Sequence, residues 1–147
     1  MRYVLFLGIW VIFISFSSGC SWSWLPWVSA SPEDLLVINL SRAKSDKTKE
    51  PLTIIIVQPA EQKSFVAANY ASVIQQSLDK GVKRYVMLGD QKSDKIIIAA
   101  DKTPLAIYFI LKEQPTSNWK YLIDAPQGSI QLFTINSDGV TQENKDG

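Results

Sequence analysis

Few side chains in this sequence have the types and spacing that chemistry needs. There is no histidine, which removes histidine general bases, Ser-His-Asp and Cys-His nucleophile systems and every histidine metal site. The only cysteine, Cys20, excludes an internal disulfide and a cysteine zinc cluster. Carboxylates are scattered: Asp90, Asp94, Asp101, Glu113, Asp124 and Asp138 fall mostly at turn signals, where Asp serves a conformational purpose. Trp119, Tyr121 and Tyr108 alternate on strand-like segments and read as core. No glycine-rich phosphate loop, paired metal-ligand motif or nucleophile elbow is found. The expectation is a protein that is not an enzyme and takes no cofactor, metal or small-molecule substrate.

Two features have chemistry of another kind. Cys20 closes an apolar run from Tyr3 to Ile14 through the small-residue stretch Ser15-Phe16-Ser17-Ser18-Gly19, with Arg2 ahead of it. Twelve apolar residues are too few to span a bilayer as a helix, so the segment reads as an export signal. Its end resembles a bacterial lipoprotein signal: Ser18 and Gly19 match the lipobox, Ser17 stands where Leu is usual, and Cys20 is the lipid acceptor. Ser21, in place of the Asp of an inner-membrane retention signal, points to outer-membrane delivery on the periplasmic face. The second feature is the polar run Ser41 to Glu50, in which Arg42, Lys44, Lys47 and Lys49 outnumber Asp46 and Glu50. Such a run is ordinarily a solvated connection; its functional reading is a protruding contact loop.

The rest of the chain must position these two features. With 147 residues, 46 % hydrophobic and 20 % charged, it supports one ordinary domain. Fifteen Lys+Arg against fourteen Asp+Glu gives +1, far from the basic face that nucleic acid requires. Residues 1–19 are assigned to the signal peptide and 20–34 to the lipidated cysteine and its tether. A β-sandwich domain is assigned to 35–140 and a flexible tail to 141–147. In the tether, Trp22, Trp24 and Trp27 are interleaved with Ser and Pro. Their rings suit the lipid–water interface, and the alternative is that they lie on the domain as lids.

Seven segments read as strands: 35–40, 51–58, 83–88, 94–100, 105–112, 119–124 and 129–136, with 51–58 buried on both faces. Their spacing and intervening turn signals predict an antiparallel sandwich. One helix is predicted over Ser64–Lys80, with Ser64 as N-cap and Gly81 following its end. Phe65, Ala68, Val73 and Ile74, with Ala67, Tyr70, Ala71 and Leu78, are assigned to its apolar side.

The order of elements is similar to that of the outer-membrane lipoprotein of the type VI secretion system, the TssJ family. Pro51 to Gln58 resembles that family's second strand, and Ser64-Phe65-Val66-Ala67-Ala68-Asn69-Tyr70 resembles the helix after it. Leu105 to Leu111 leading to Trp119-Lys120 resembles its later hairpin. The resemblance implies a transthyretin-like β-sandwich at the inner leaflet of the outer membrane. It also implies that the loop between the first two strands binds the periplasmic domain of an inner-membrane secretion protein. Mapped here, the partner-binding residues are Arg42, Lys44, Ser45, Asp46, Lys47, Thr48 and Lys49. The alternative is a pilotin-like or other secretion or pilus-assembly lipoprotein, which needs an apolar groove for a peptide.

Overall fold

A computed structural model describes residues 31–46, 49–79, 82–115 and 118–143. The signal, Cys20 and the tether up to residue 30 therefore lie outside the described residues, as do Lys47 and Thr48 of the loop. The remainder of the assigned tether is described, and Pro32–Asp34 forms a short 3₁₀ turn held to the domain by the Ala100 amide on the Asp34 carbonyl.

Two four-stranded sheets face each other. The strands are β1 (Leu35–Arg42), β2 (Leu52–Val57), β3 (Lys83–Met87), β4 (Ser93–Ala99), β5 (Leu105–Ile110), β6 (Lys120–Ile123), β7 (Ile130–Asn136) and β8 (Gly139–Glu143). One sheet has the order β4-β1-β7-β8, the other β3-β2-β5-β6. The expected mainly-β sandwich is thus what the chain forms. The pairing of β1 with β7 is parallel, because β1 lies between β4 and a strand that arrives late in the chain from the same end.

Strand period explains the core. Leu36, Ile38 and Leu40 alternate with half-buried or exposed residues along β1 and point between the sheets. They meet Ile54 and Ile56 of β2, Phe109 of β5 and Phe133 and Ile135 of β7 in one cluster. Phe109 and Phe133 meet edge-on with ring centres 5.0 Å apart, a geometry that suits the ring quadrupoles.

The outer face of the second sheet is also covered. Ile55, Ala106 and Tyr108 are buried beneath Tyr70, Val73 and Trp119, so Ile54, Ile55 and Ile56 are all inaccessible. This accounts for the unbroken apolar run of β2, which a one-sided sheet would not need.

The predicted single helix over Ser64–Lys80 is instead two short ones, α1 (Gln62–Ala67) and α2 (Tyr70–Gln76). Asn69 breaks them apart. Its side chain accepts from the Ser72 amide at 2.9 Å while Ser72 Oγ accepts from the Asn69 amide at 3.1 Å, a reciprocal cap that starts a new helix. The break turns Tyr70 and Val73 onto the sheet and leaves Ile74 and Leu78, assigned to the apolar side, exposed. Lys80 and Gly81, the predicted stop, lie outside the described residues.

Two further corrections concern the C-terminal part. Thr141 to Glu143, assigned to a frayed tail, belong to β8, which pairs antiparallel with β7 through Leu132–Glu143 and Thr134–Thr141. The described residues therefore form eight strands rather than seven. Gly139–Glu143 is short and mostly polar; pairing with the edge of β7 and burial of Val140 in the core make it a strand.

Candidate functional site

The loop from Ala43 to Pro51 occupies one pole of the sandwich. The β3–β4 turn joins it there, because Met87 pairs with Leu52 and Ser93 with Ser41. So does the β7–β8 turn, since Ile135 pairs with Arg42. The first described residues, Ser31 to Asp34, lie at the opposite pole. The eight residues of β1 separate the two by roughly 26 Å at about 3.3 Å per residue.

Arg42 organises the loop from within. Its Nε donates to the Gln91 carbonyl at 3.1 Å, and its two terminal nitrogens donate to Asp46 Oδ2 at 2.9 Å and to the Glu50 carbonyl at 2.6 Å. The Arg42 side chain is 9 % exposed and that of Asp46 is 0 % exposed. The planar guanidinium suits this because its donors diverge in a fixed fork, so one side chain ties both ends of the loop to the neighbouring turn. Arg42 and Asp46, two of the residues assigned to partner contact, are thus engaged in holding the loop's shape.

Backbone contacts complete the brace. The Arg42 amide donates to the Lys92 carbonyl at 2.8 Å and the Ala43 amide to the Ile135 carbonyl at 2.9 Å. The Asp46 amide closes a turn on the Ala43 carbonyl at 2.9 Å. Gly89 is needed beneath it, since a Cβ there would lie 2.0 Å from the Lys49 carbonyl oxygen. Glu50 Oε1 meets Lys112 Nζ at 2.9 Å on the surface, and this bond raises the Lys112 pKa above its ordinary value.

What the brace leaves outward is the tip. Lys44, Ser45 and Lys49 are exposed. The structure brings Arg42, Lys44, Ser45, Asp46 and Lys49 together at one pole but divides them into an internal clamp and a presented set. The sequence does not mark Gln91 and Glu50 as clamp acceptors, since they act through main-chain oxygens that no side-chain pattern reports. No group of three or more His, Cys, Asp or Glu residues able to hold a metal is found among the described residues.

Comparison with known proteins bears on the family and the fold. Residues 54–135 match the family described as "IglE, N-terminal domain". No curated protein matches the chain in sequence. Among solved structures, the T6SS lipoprotein TssJ1 from Pseudomonas aeruginosa is 15 % identical with a TM-score of 0.56, covering 79 % of this chain and 99 % of that one. Serratia marcescens Lip, a membrane-bound component of the type VI secretion system, is 10 % identical with a TM-score of 0.60, covering 78 % and 99 %. A chain in the structure of the T6SS protein TssM C-terminal domain from EAEC is 13 % identical with a TM-score of 0.59, covering 75 % and 98 %. At these identities the likeness is one of fold, and the fold is the one that the resemblance to TssJ implied. Because the matched segment covers more than half of its residues, this chain belongs to the IglE N-terminal domain family.

Proposed function

We propose that this chain is an outer-membrane-anchored lipoprotein of the type VI secretion membrane complex. In this reading it docks the periplasmic domain of an inner-membrane secretion component through the Ser41–Glu50 loop. The observation that carries the reading is polarity along the strands. The chain enters the domain at one pole and a braced, lysine-bearing loop stands at the other. A lipid on Cys20 would hold the first pole toward the membrane and present the second to the periplasm. The loop's internal clamp supports docking over mere solvation, since a pre-shaped loop loses less conformational entropy on binding. Support for the machine comes from the type VI lipoproteins whose fold it shares.

In this reading Lys44 and Lys49 supply donors to acidic groups of the partner, with Lys47 and Thr48 beside them, while Arg42 and Asp46 keep the loop in register. Each exposed pair contributes about 0.2–1 kcal/mol, so binding weakens only moderately with salt. The test is co-purification from cells that carry the secretion machine, with Lys44→Glu and Lys49→Glu combined. A folded, lipidated variant that retains its partner at wild-type strength would refute the docking assignment.

A further inference from the structure

The helices that cover the second sheet leave an open groove of ≈ 520 Å³ on it. Val57 and Tyr108 line it from the sheet, Ser64 and Phe65 from α1, and Ser72 and Gln76 from α2. Two helices stand here because Asn69 and Ser72 cap a second start, and that interruption shapes the groove's walls.

Tyr108 gives the groove a specific chemistry. Only 4 % of the residue is exposed. The hydroxyls of Tyr70 and Tyr121 each donate to a main-chain carbonyl, that of Leu111 and that of Val140. The Tyr108 hydroxyl has no hydrogen-bond partner among the described residues, and burial alone raises its pKa. Among those residues no side-chain nitrogen or oxygen sealed from solvent lacks a partner, so this hydroxyl opens onto the groove that its residue lines. A nearly buried phenol without a partner costs free energy that an incoming acceptor recovers. The half-buried Gln76 has no side-chain partner among the described residues either, and its carboxamide carries both donors and an acceptor. Glu61 is the one charged residue in the lining.

We propose that this groove binds an extended, non-acidic peptide segment, with an aliphatic side chain seated against Val57 and Phe65. A main-chain carbonyl of the segment accepts from the Tyr108 hydroxyl, and the Gln76 carboxamide pairs with a neighbouring peptide group. A peptide group matches the site because it offers a C=O and an N–H together with an apolar side chain. A wholly apolar guest leaves Tyr108 unsatisfied, and an anion is opposed by Glu61. The capped helix interruption holds the walls in place beforehand, which lowers the ordering cost of binding. Val57 ends β2 while the Ala43–Pro51 loop precedes its start, so the groove is separate from the loop and rests on neither lipidation nor docking.

The probe is the blocked tripeptide acetyl-Ala-Leu-Ala-amide, titrated into the full chain carrying 3-fluorotyrosine. The Tyr108 fluorine signal, assigned by its loss in Tyr108→Phe, should shift and saturate while those of Tyr85 and Tyr121 stay in place. Affinity read from the peptide's own NMR signals should fall about fivefold in Tyr108→Phe and in Gln76→Met, each losing one hydrogen bond. It should fall about tenfold or more for acetyl-Ala-Gly-Ala-amide, which lacks the aliphatic side chain. Ile97→Lys, at an exposed position of the other sheet, should leave it unchanged. Tyr108→Phe should also keep the wild-type urea midpoint, because it breaks no internal bond. Binding indifferent to Tyr108→Phe or to the Leu-to-Gly change overturns the proposal, as do shifts spread alike over all tyrosines or no shift at millimolar peptide. So does a lower midpoint for Tyr108→Phe, which would mean that the hydroxyl is satisfied within the protein.

Discussion

Lys120 Nζ donates to the carbonyl oxygen of Phe65 at 2.9 Å, joining β6 to the end of α1. The same ammonium donates to the Val66 and Ala68 carbonyls at 3.0 and 2.9 Å and lies 5.1 Å from the Phe65 ring centre. A helix end leaves its last carbonyls without partners, and a cation there meets both the lone pairs and the negative end of the helix dipole. The interruption at Ala68–Asn69 is therefore satisfied from both sides: by Lys120 behind it and by the Asn69–Ser72 cap ahead.

Lys120→Met keeps much of the side chain's apolar length and removes its charge. It should lower stability by about 2 kcal/mol, because three carbonyls lose a charged donor at once. A lower urea midpoint with an unchanged slope would show this; an unchanged midpoint would mean water replaces the ammonium at no cost.

Arg42→Ala and Lys44→Ala should behave differently. The first breaks a shielded ion pair and removes the donors held by the Gln91 and Glu50 carbonyls, for about 3–5 kcal/mol, while the second stays within about 0.5 kcal/mol. Urea unfolding of both variants checks the division between clamp and presented tip. The clamp also means that replacing Arg42 through Lys49 by a short turn would disturb the neighbouring β3–β4 turn, so point substitutions at the tip are the cleaner probe of docking.

Gly89→Ala should cost about 1–3 kcal/mol, since the added methyl meets the main chain of Lys49 rather than a side chain that can swing away. Under the proposed function, partner capture should weaken with it because the loop is displaced. Thermal unfolding and pull-down from the same preparation test both effects.

Cys20→Ser should abolish fatty-acid labelling and leave the domain folded, because every described core residue lies beyond position 34. Label retained in that variant would show that another residue accepts the lipid.

Alkaline pH should unfold the protein. Burial raises the pKa of Tyr70, Tyr85, Tyr108 and Tyr121 above the ordinary value of 10.0. Above pH 10 the unfolded chain releases phenolic protons that the folded chain retains, so stability is full below pH 10 and falls as pH rises toward the folded-state values. Loss of structure should coincide with tyrosinate absorbance in a pH titration. A stability independent of pH above 10 would contradict the burial of these hydroxyl groups.

Much of the architecture is legible in the residues alone. The short apolar run Leu35–Leu40, the unbroken apolar run of Leu52–Val57 and the turn signals between strands are local signals, and so predict a β-sandwich, while the alternating burial along β1 comes from the packing of the two sheets. The absence of histidine and the single cysteine are equally readable, being matters of composition. Tertiary contact decided what periodicity cannot. Residues 64–80 have enough apolar side chains for one helix, yet Asn69 and Ser72 cap each other and Lys120, far along the chain, takes the carbonyls of the broken turn. The polar strand Gly139–Glu143 exists because β7 has an edge to fill and the core takes in Val140. In the loop, Arg42 and Lys44 are both cations one residue apart on either side of Ala43. Only the placement of Gln91 and Glu50 carbonyls around Arg42 turns one inward as a clamp and leaves the other at the surface, because main-chain acceptors take position from the fold and not from residue type.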